Sequence, residues 1–472
     1  MANLDISAPY PTYGMDSRHT FRSPYTLMDS AEDYQLLWRR YGRMSEVVPI
    51  DPSNIAYSVG PYLMYSYDKW GVKTTLPHLG WMYSSSRCAL TEGDLWIASH
   101  GGDLGGTFYP YRLTARNKSG ITQWEHIFTP TSPHFGFSTF EVRSDGSFVI
   151  PGWYNFPEEE DSWIIGLSSD GSTELFSTYT NDTGDLLYCV VDNNDVTYCA
   201  GVREEPGTNY TGVVRAYDYD GNFKWEYIIT TLHDHMAVYP TQPMCVGEDG
   251  KIYFGCLGNS LPFYALNSDG SLAWTKAIGA PSYALGVAED GTIYAWAGTT
   301  LYALDPDDGA TIWSAAVSGI NRSIIDANGR LLIGTSVHPR EAICFEPDGT
   351  ELWKFTFPAS GTTDTNYGYK VQPVIGTDHT LFCYCYEYMY NSAYGNPPPS
   401  GNLCVKHGDH RDLFNSASIS PGDKVKVLKC GKKRWILKSD PISPEDTVRR
   451  LKIGKQTILY KNTPAWTPKY YT

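Results

Sequence analysis

The stretch LYALDPDDGATIW (301–313) decides the fold, because it joins two short strands through an acidic-glycine turn and ends in tryptophan. Related stretches are FYALNSDGSLAW (263–274) and ICFEPDGTELW (343–353). Each follows a partner hairpin with its own acidic-glycine turn, such as VGEDGKIYFGC (246–256) or VAEDGTIYAWAG (287–298). Two hairpins supply four short antiparallel strands, and four such strands make one propeller blade.

This two-hairpin unit recurs seven times between residues 90 and 414. Self-similarity at a period of a few tens of residues is typical of propellers. The sequence therefore predicts an all-β fold, a seven-bladed β-propeller over residues 86–418, in which a segment from 47–85 or after 414 completes a blade to close the ring. The units end in the aromatics Trp124, Phe176, Trp225, Trp274, Trp313, Trp353 and Phe414.

The tandem Tyr-x-Leu-x-x-x-x-Gly-x-x-x-Trp pattern resembles the pyrroloquinoline-quinone-type β-propeller repeat, over residues 90–414. The resemblance implies the fold alone, because the repeat occurs both in quinoprotein dehydrogenases and in non-enzymatic scaffolds. Those dehydrogenases are normally exported, have eight blades and often carry adjacent, disulfide-joined cysteines. This chain has no Cys-Cys pair and no export signal at its start, so we expect no quinone or other cofactor.

The first 85 residues are predicted to form a separate N-terminal part. Residues 1–28 have no hydrophobic period and suggest an extended arm, whereas residues 30–41 (SAEDYQLLWRRY) suggest a helix that starts with a capping box. Its apolar face would contain Tyr34, Leu37, Trp38 and Tyr41, at the i, i+3, i+4, i+7 spacing of an amphipathic helix. That face needs a covering surface, so we predict that it contributes to assembly.

Residues 419–472 are predicted to form a small basic β element. Residues 421–472 carry a net charge of +9, which leaves −24 on the rest of a chain whose total is −15. KVKVLKCGKKRWILKS (424–439) alternates apolar and basic residues around a Gly-Lys-Lys turn and predicts a hairpin, whereas 443–454 suggests a helical turn. The predicted assembly residues here are Lys432, Lys433, Arg434 and Trp435.

No stretch of the sequence carries a recognisable catalytic motif or a metal-ligand pattern. The pair His233 and His235 lacks a third ligand, and the acidic run at 158–161 lacks calcium-loop spacing. We therefore predict no metal. Candidate binding residues at the channel mouth are Gln242 and Gln372, from the parallel stretches YPTQPMCVG and YKVQPVIG, with His235 and Tyr239. These glutamines would either satisfy backbone groups between blades or contact a glycan or protein loop.

Composition favours an assembly component over a free enzyme. The ten cysteines show no paired spacing, which favours buried thiols in a protein made in the cytoplasm. No membrane span is expected, because no run of 18 apolar residues occurs. We expect a non-enzymatic structural protein of a bacteriophage virion, in or near the tail, with other virion proteins or further copies as partners. The alternatives are a quinone-dependent or glycan-acting enzyme, a glycan-binding propeller, and nucleic-acid contact by the basic tail.

Overall fold

The structure is a computed structural model, and its described part is a series of antiparallel sheets. The described strands fall into two compact units, the first containing β2–β31 and the second containing β33–β36, as defined below. The described residues are 15–30, 34–41, 50–59, 64–67, 73–76, 88–91, 95–104, 107–128, 135–137, 139–156, 159–183, 186–205, 209–234, 243–257, 261–279, 281–337, 340–356, 368–377, 379, 381–388, 401–407, 425–430, 433–438, 448–453 and 456–461.

Four strands lie before the predicted repeats. The first of them joins the last sheet of the repeats, and the other three form a sheet of their own in the order β2-β3-β4. The strands are β1 (Tyr34–Tyr41), β2 (Ala56–Val59), β3 (Met64–Tyr67) and β4 (Lys73–Leu76).

The first six predicted units each form a sheet of four or five strands, and the seventh contributes three described strands to a sheet that β1 completes. The first three sheets contain β5 (Cys88–Leu90), β6 (Leu95–Leu104), β7 (Thr107–Asn117), β8 (Thr122–Ile127); β9 (Phe135–Gly136), β10 (Glu141–Val142), β11 (Phe148–Phe156), β12 (Glu159–Leu167), β13 (Glu174–Thr183); and β14 (Leu186–Val191), β15 (Thr197–Glu205), β16 (Asn209–Tyr217), β17 (Phe223–Asp234). The other four contain β18 (Cys245–Val246), β19 (Ile252–Phe254), β20 (Phe263–Leu266), β21 (Leu272–Lys276); β22 (Ser282–Val287), β23 (Ile293–Ala297), β24 (Thr300–Leu304), β25 (Thr311–Ala316); β26 (Ile320–Ile325), β27 (Leu331–Thr335), β28 (Glu341–Phe345), β29 (Glu351–Thr356); and β30 (Gly368–Ile375), β31 (Leu381–Tyr388), β32 (Gly401–His407) with β1.

The second unit contains two hairpins. β33 (Val425–Cys430) pairs with β34 (Lys433–Lys438), and β35 (Val448–Ile453) pairs with β36 (Gln456–Lys461). The hairpin predicted within 424–439 is therefore confirmed. The helical turn predicted for 443–454 is wrong where the structure describes it, because β35 is extended and paired along its whole length.

The helix predicted for residues 30–41 is also wrong, because Tyr34–Tyr41 is strand β1. β1 lies beside β32 and is the outermost strand of the last sheet, in the order β1-β32-β31-β30. Tyr, Trp and Leu fit a paired strand as well as a helix, so the pairing offered by β32 overrides the helical spacing. The amphipathic helical face predicted for assembly does not exist in this conformation.

The terminal aromatics connect neighbouring sheets, as the repeat predicts. The indole N–H of Trp274 donates to the carbonyl of Pro306 at 3.0 Å, in the turn of the second hairpin of the next sheet. Trp313 makes the same bond to Pro347 at 2.8 Å. Trp274 and Trp353 are buried, as predicted, whereas Trp313 is half-buried. Trp274 and Trp313 thus each fasten one sheet to a turn of the next.

A glycine in that turn allows the aromatic to approach. Gly309 has φ +71°, and an added Cβ would lie 2.7 Å from Cε3 of Trp274. Gly250 has a similar φ of +76°, but the nearest heavy atom to its added Cβ, on Ser268, would be 3.8 Å away. Both glycines therefore need a left-handed backbone, but only Gly309 lies against an aromatic ring.

We expect Gly309→Ala to lower the free energy of unfolding by about 1–3 kcal/mol more than Gly250→Ala. Both substitutions carry the cost of a left-handed alanine, whereas only the first also pushes a methyl group against the indole. Denaturant unfolding of both variants measures the difference. Equal losses for the two variants would show that the tryptophan does not press on this turn.

The sheet β2–β4 begins with the same turn as the predicted units. The amide of Asp51 donates to the carbonyl of Ile55, and in the third predicted unit the amide of Asp192 donates in the same way to the carbonyl of Val196. The Tyr57 hydroxyl donates to Asp51 at 3.1 Å. In the third unit Tyr198 donates to Asp192 at 3.0 Å.

Asn54 and Asp195 occupy equivalent positions in these two turns, and both have left-handed backbones, with φ of 60° and 59°. Residues 50–76 therefore form a further unit, whose first strand is reduced to a bridge at Ile50.

This further unit contacts the last sheet in the same way as the third predicted unit contacts the second. The amide of Thr377 donates to Asn54 Oδ1 at 2.8 Å, just as the amide of Ser144 donates to Asp195 Oδ1 at 2.9 Å. Asn54 also donates to the Thr377 hydroxyl at 2.9 Å. The segment before the repeats thus lies next to their end, and we now expect eight blades in the closed ring rather than seven.

Alanine substitutions at Asn54 and Thr377 should test this closure. We expect the sum of the two single losses of unfolding free energy to exceed the loss in the double variant by about 0.5–1 kcal/mol. The reason is that the two residues share hydrogen bonds, which either substitution weakens. The equivalent pair Ser144 and Asp195 serves as the matched control and should show a similar coupling. Strict additivity at Asn54 and Thr377, beside coupling in the control pair, would contradict the closure.

Candidate functional site

An extended arm, residues 15–28, crosses the ends of the first strands of several sheets. Its carbonyl groups accept from the amides of the residues that end those strands, at distances of 2.7–3.1 Å. The pairs are Ser17 with Val191, Arg18 with Val246, Thr20 with Val287 and Phe21 with Ile325. These four strand ends belong to consecutive sheets and to the same position of the repeat. The arm therefore covers a row of four strand ends, and we call this surface the arm site.

The start of the arm is shaped by Asp16. One carboxylate oxygen accepts from the amides of Arg18 at 3.1 Å and Thr20 at 3.0 Å, and the other accepts from the Thr20 hydroxyl at 2.6 Å. An aspartate that binds the backbone two and four residues ahead of itself fixes a tight turn. The turn presents the next residues to the strand ends.

Buried side chains anchor the arm at its centre. His19 and Phe21 have 0% and 1% of their surface exposed, and His19 Nε2 lies 2.9 Å from Oε1 of Glu141 on β10. Glu141 is itself 1% exposed. Breaking a buried contact of this kind from one side is costly, because the remaining group stays buried without this partner.

Two arginines of the arm share one acidic residue of the fourth predicted unit. Arg18 Nη1 lies 2.8 Å from Glu248, and Arg22 Nη2 lies 2.5 Å from it. The hydrogen bonds from Arg18 and Arg22 lower the pKa of Glu248 to about 2. The Glu248 side chain is half exposed, at 49%, so solvent weakens this pair.

The stabilising effect of Glu248 should be lost in acid. Its pKa is lowered in the folded protein, so its contribution is complete above the usual value of 4.5 and is lost as the pH falls towards 2. We expect the melting-temperature difference between the wild type and Glu248→Gln to shrink over that interval. A difference that stays constant from pH 6 to pH 2 would show that this carboxylate does not hold the arm.

The far end of the arm runs outwards over the sixth predicted unit. The amide of Leu27 donates to the Asp326 carboxylate at 2.8 Å, and the carbonyl of Met28 accepts from the Trp353 indole at 2.8 Å. Burial raises the pKa of Asp326, although its hydrogen bonds from Leu27 and other amides oppose that shift. Trp353 therefore binds the arm where other terminal aromatics bind the next sheet.

Most residues predicted for assembly or binding are not part of this arm site. Tyr34, Leu37, Trp38 and Tyr41 lie on β1, and Lys433, Arg434 and Trp435 lie on β34. Gln372 lies on β30 opposite Tyr384. Outside the described residues lie Lys432, His235, Tyr239 and Gln242.

Sequence reasoning predicted an extended arm but missed the residues that anchor it. Arg18, His19 and Phe21 stand in SRHTF (17–21), which has no repeat or motif that would mark them. Glu141 and Glu248 lie in the first hairpins, where the acidic residues were assigned to the turns alone. Each contact joins residues distant in sequence, so nothing local identifies it.

The described residues contain no group of three His, Cys, Asp or Glu side chains arranged to hold a metal. Over the same ranges, Cys199, Cys245, Cys256 and Cys344 are buried free thiols, and Cys189 is buried as well. No helix in the described ranges has the length and hydropathy to span a membrane. The arm site is consequently a surface of backbone amides, acidic side chains and apolar contacts.

A search of curated proteins finds no significant match. Among solved structures, regucalcin from Agrobacterium tumefaciens, described as a calcium-binding protein, is 13% identical, with 79% of this chain and 95% of that chain covered and a TM-score of 0.35. Sqt1 from Chaetomium thermophilum is 8% identical, with coverages of 67% and 93% and a TM-score of 0.41. A eukaryotic initiation factor is 10% identical, with coverages of 71% and 90% and a TM-score of 0.40.

One family model matches the chain. It is described as outer membrane protein assembly factor BamB, belongs to the PQQ-type repeats, and matches residues 210–327, 259–363 and 297–383. The matched region contains the sheets whose turns and terminal aromatics repeat most regularly. Residues 210–383 therefore resemble the PQQ-type β-propeller repeat family.

Proposed function

We propose that this chain is a non-enzymatic structural and interaction protein that uses its terminal segments for assembly, as a tail or tail-adjacent component of a bacteriophage virion. The observation that carries the proposal is the arm, which occupies the strand ends of four consecutive sheets with its own backbone. A row of strand ends that is covered by the chain's own arm favours a scaffold over an enzyme, whose site must admit a substrate.

The second support is the basic C-terminal segment. Residues 421–472 bring +9 to a chain whose remainder carries −24, and opposite charges of this size attract a neighbouring acidic surface. An isolated two-stranded hairpin is marginally stable, so such hairpins need a supporting surface. Other virion proteins or further copies of this chain are the proposed partners.

The virion assignment rests on the combination of features rather than on a motif. An arm-bearing propeller with 36 tyrosines and a basic terminal segment suits a part that is built into a larger particle. The protein would be made in the cytoplasm and act in the virion.

Native mass measurements on the full chain and on a chain ending at residue 420 test the proposal. We expect the full chain to enter a complex, with itself or with a co-expressed virion protein, and the shortened chain to stay folded but outside it. High salt should weaken the full-length complex, because screening reduces attraction between charged surfaces. Equal assembly of both chains at all salt concentrations would refute the role of the basic segment.

A control variant separates charge from folding. Lys433→Glu with Arg434→Glu keeps the length of the chain and reverses charge on β34. We expect the same loss of assembly as for the shortened chain. Turnover of an alcohol, a sugar or a glycan by the purified protein, with added quinone and calcium, would instead favour the enzyme alternative.

A further inference from the structure

We propose that the arm site is a peptide-binding site, that residues 15–28 are its ligand, and that it accepts the same segment from a second copy of this chain. The site itself is inferred from the contacts below. Its use between copies rests on the proposed assembly function.

The backbone contacts show that the site is built by the repeat and not by the arm. Val191, Val246, Val287 and Ile325 each end the first strand of a sheet and each donate an amide to the arm. The strands that hold these amides are paired within their own sheets, so the row of donors exists without the arm. Main-chain hydrogen bonding of this kind is how folded domains bind extended peptides.

The side chains of the arm supply the specificity. His19 reaches the buried Glu141, and Arg18 and Arg22 share Glu248, so the site favours a histidine between two basic residues. Phe21 adds a buried apolar anchor, with 1% of its surface exposed. A segment without these groups would leave two acidic residues of the site without their partners, which costs affinity.

The backbone of the arm is strained at two residues that the site buries. His19 has φ 54° and Phe21 has φ 59°, and bulky residues rarely adopt this left-handed region. Gly286 meets the arm closely, because an added Cβ there would lie 2.8 Å from the carbonyl oxygen of Thr20.

The second copy is the partner of choice because it carries the segment that makes these contacts with the site. Any other copy presents the same Arg18, His19, Phe21 and Arg22. Exchange would need no new surface, since the trans arm would make the bonds that the arm now makes in cis.

The test uses the full chain with a protease site inserted after Ser30. After cleavage, the arm is removed by dilution and gel filtration, and a labelled peptide of residues 15–30 is added. We expect the peptide to bind, and its His19→Ala version to bind at least about 30-fold more weakly. The Pro24→Ala peptide, changed at an exposed residue, should bind within about threefold of the original.

A second, uncut variant covers the case in which the cleaved chain unfolds. In the chain with His19→Ala and Arg22→Ala the arm is attached but weakened, and excess wild-type peptide should displace it. Amide exchange at Val246 and Val287 reports the displacement. No peptide binding to either folded variant, or equal binding of the wild-type and His19→Ala peptides, would overturn the proposal.

Binding of one copy's arm to the site of another copy is measured separately, by native mass spectrometry. A chain with an intact arm and the site changes Glu141→Gln and Glu248→Gln is mixed with the arm-less chain. We expect a complex of one copy of each, which excess peptide dissolves. Peptide binding without this complex would overturn the trans role. Loss of assembly only on removal of residues 421–472 bears on the proposed function and not on the arm site.

Discussion

Replacing Trp353 with alanine is expected to lower the free energy of unfolding by about 3–5 kcal/mol. The indole is buried, with 6% of its surface exposed, and its N–H holds the carbonyl of Met28 at 2.8 Å. The substitution removes a large side chain from between packed elements and also detaches the end of the arm. Denaturant unfolding gives the loss, and hydrogen exchange at Ala327, whose amide donates to Tyr25, reports the arm.

Two control variants separate packing from arm attachment. Trp353→Phe keeps most of the apolar volume and removes the indole donor. Trp274→Ala removes an equivalent aromatic whose N–H binds Pro306 of the next sheet instead of the arm. We expect Trp274→Ala to lower stability as much as Trp353→Ala while exchange at Ala327 stays slow. Fast exchange in both variants, or slow exchange in both, would contradict the role given to Trp353.

His19→Ala is expected to lower the free energy of unfolding by about 3 kcal/mol, because it leaves Glu141 buried without the imidazole. His19 and Glu141 are 0% and 1% exposed, and their contact measures 2.9 Å. The double variant His19→Ala with Glu141→Gln should recover part of the lost unfolding free energy, because the group that stays buried is then neutral. Denaturant unfolding of the three proteins measures both effects.

The chain offers a matched control in a more exposed pair. His126 Nε2 lies 3.1 Å from Glu174, with 16% and 33% of the side chains exposed. We expect His126→Ala to lower stability by less than about 1 kcal/mol, as for exposed ion pairs. A similar loss for His126→Ala and His19→Ala would mean that burial in the arm site does not strengthen the contact.

The sheets of the propeller were predictable because each unit repeats its own local signals. The acidic-glycine turns and terminal aromatics mark the units, and each predicted unit forms a sheet. The sequence predicted only that a segment from 47–85 or after 414 completes a blade, and it did not assign a unit to residues 50–76. The first turn of this unit carries Asn54 at the left-handed position, where Asp195 stands in the third predicted unit, so a search for glycine alone would find neither turn.

The arm site was less predictable because its contacts depend on tertiary structure. β1 carries an apolar spacing that fits a helix, and only the neighbouring strand β32 decides in favour of a strand. The arm makes one backbone contact per sheet, so no period appears in its sequence. His19 and Glu141 are 122 residues apart in sequence, and neither residue alone indicates the other.

The position of the arm has a consequence for biosynthesis. The arm leaves the ribosome before the sheets that it contacts, and Met28 binds Trp353, which is 325 residues further along the chain. β1 likewise waits for β32 before it can pair. The end of the arm therefore cannot bind until the sixth predicted unit has been made, and β1 cannot pair until β32 has been made. During that interval a nascent chain presents free strand ends, and chains on neighbouring ribosomes present free arms.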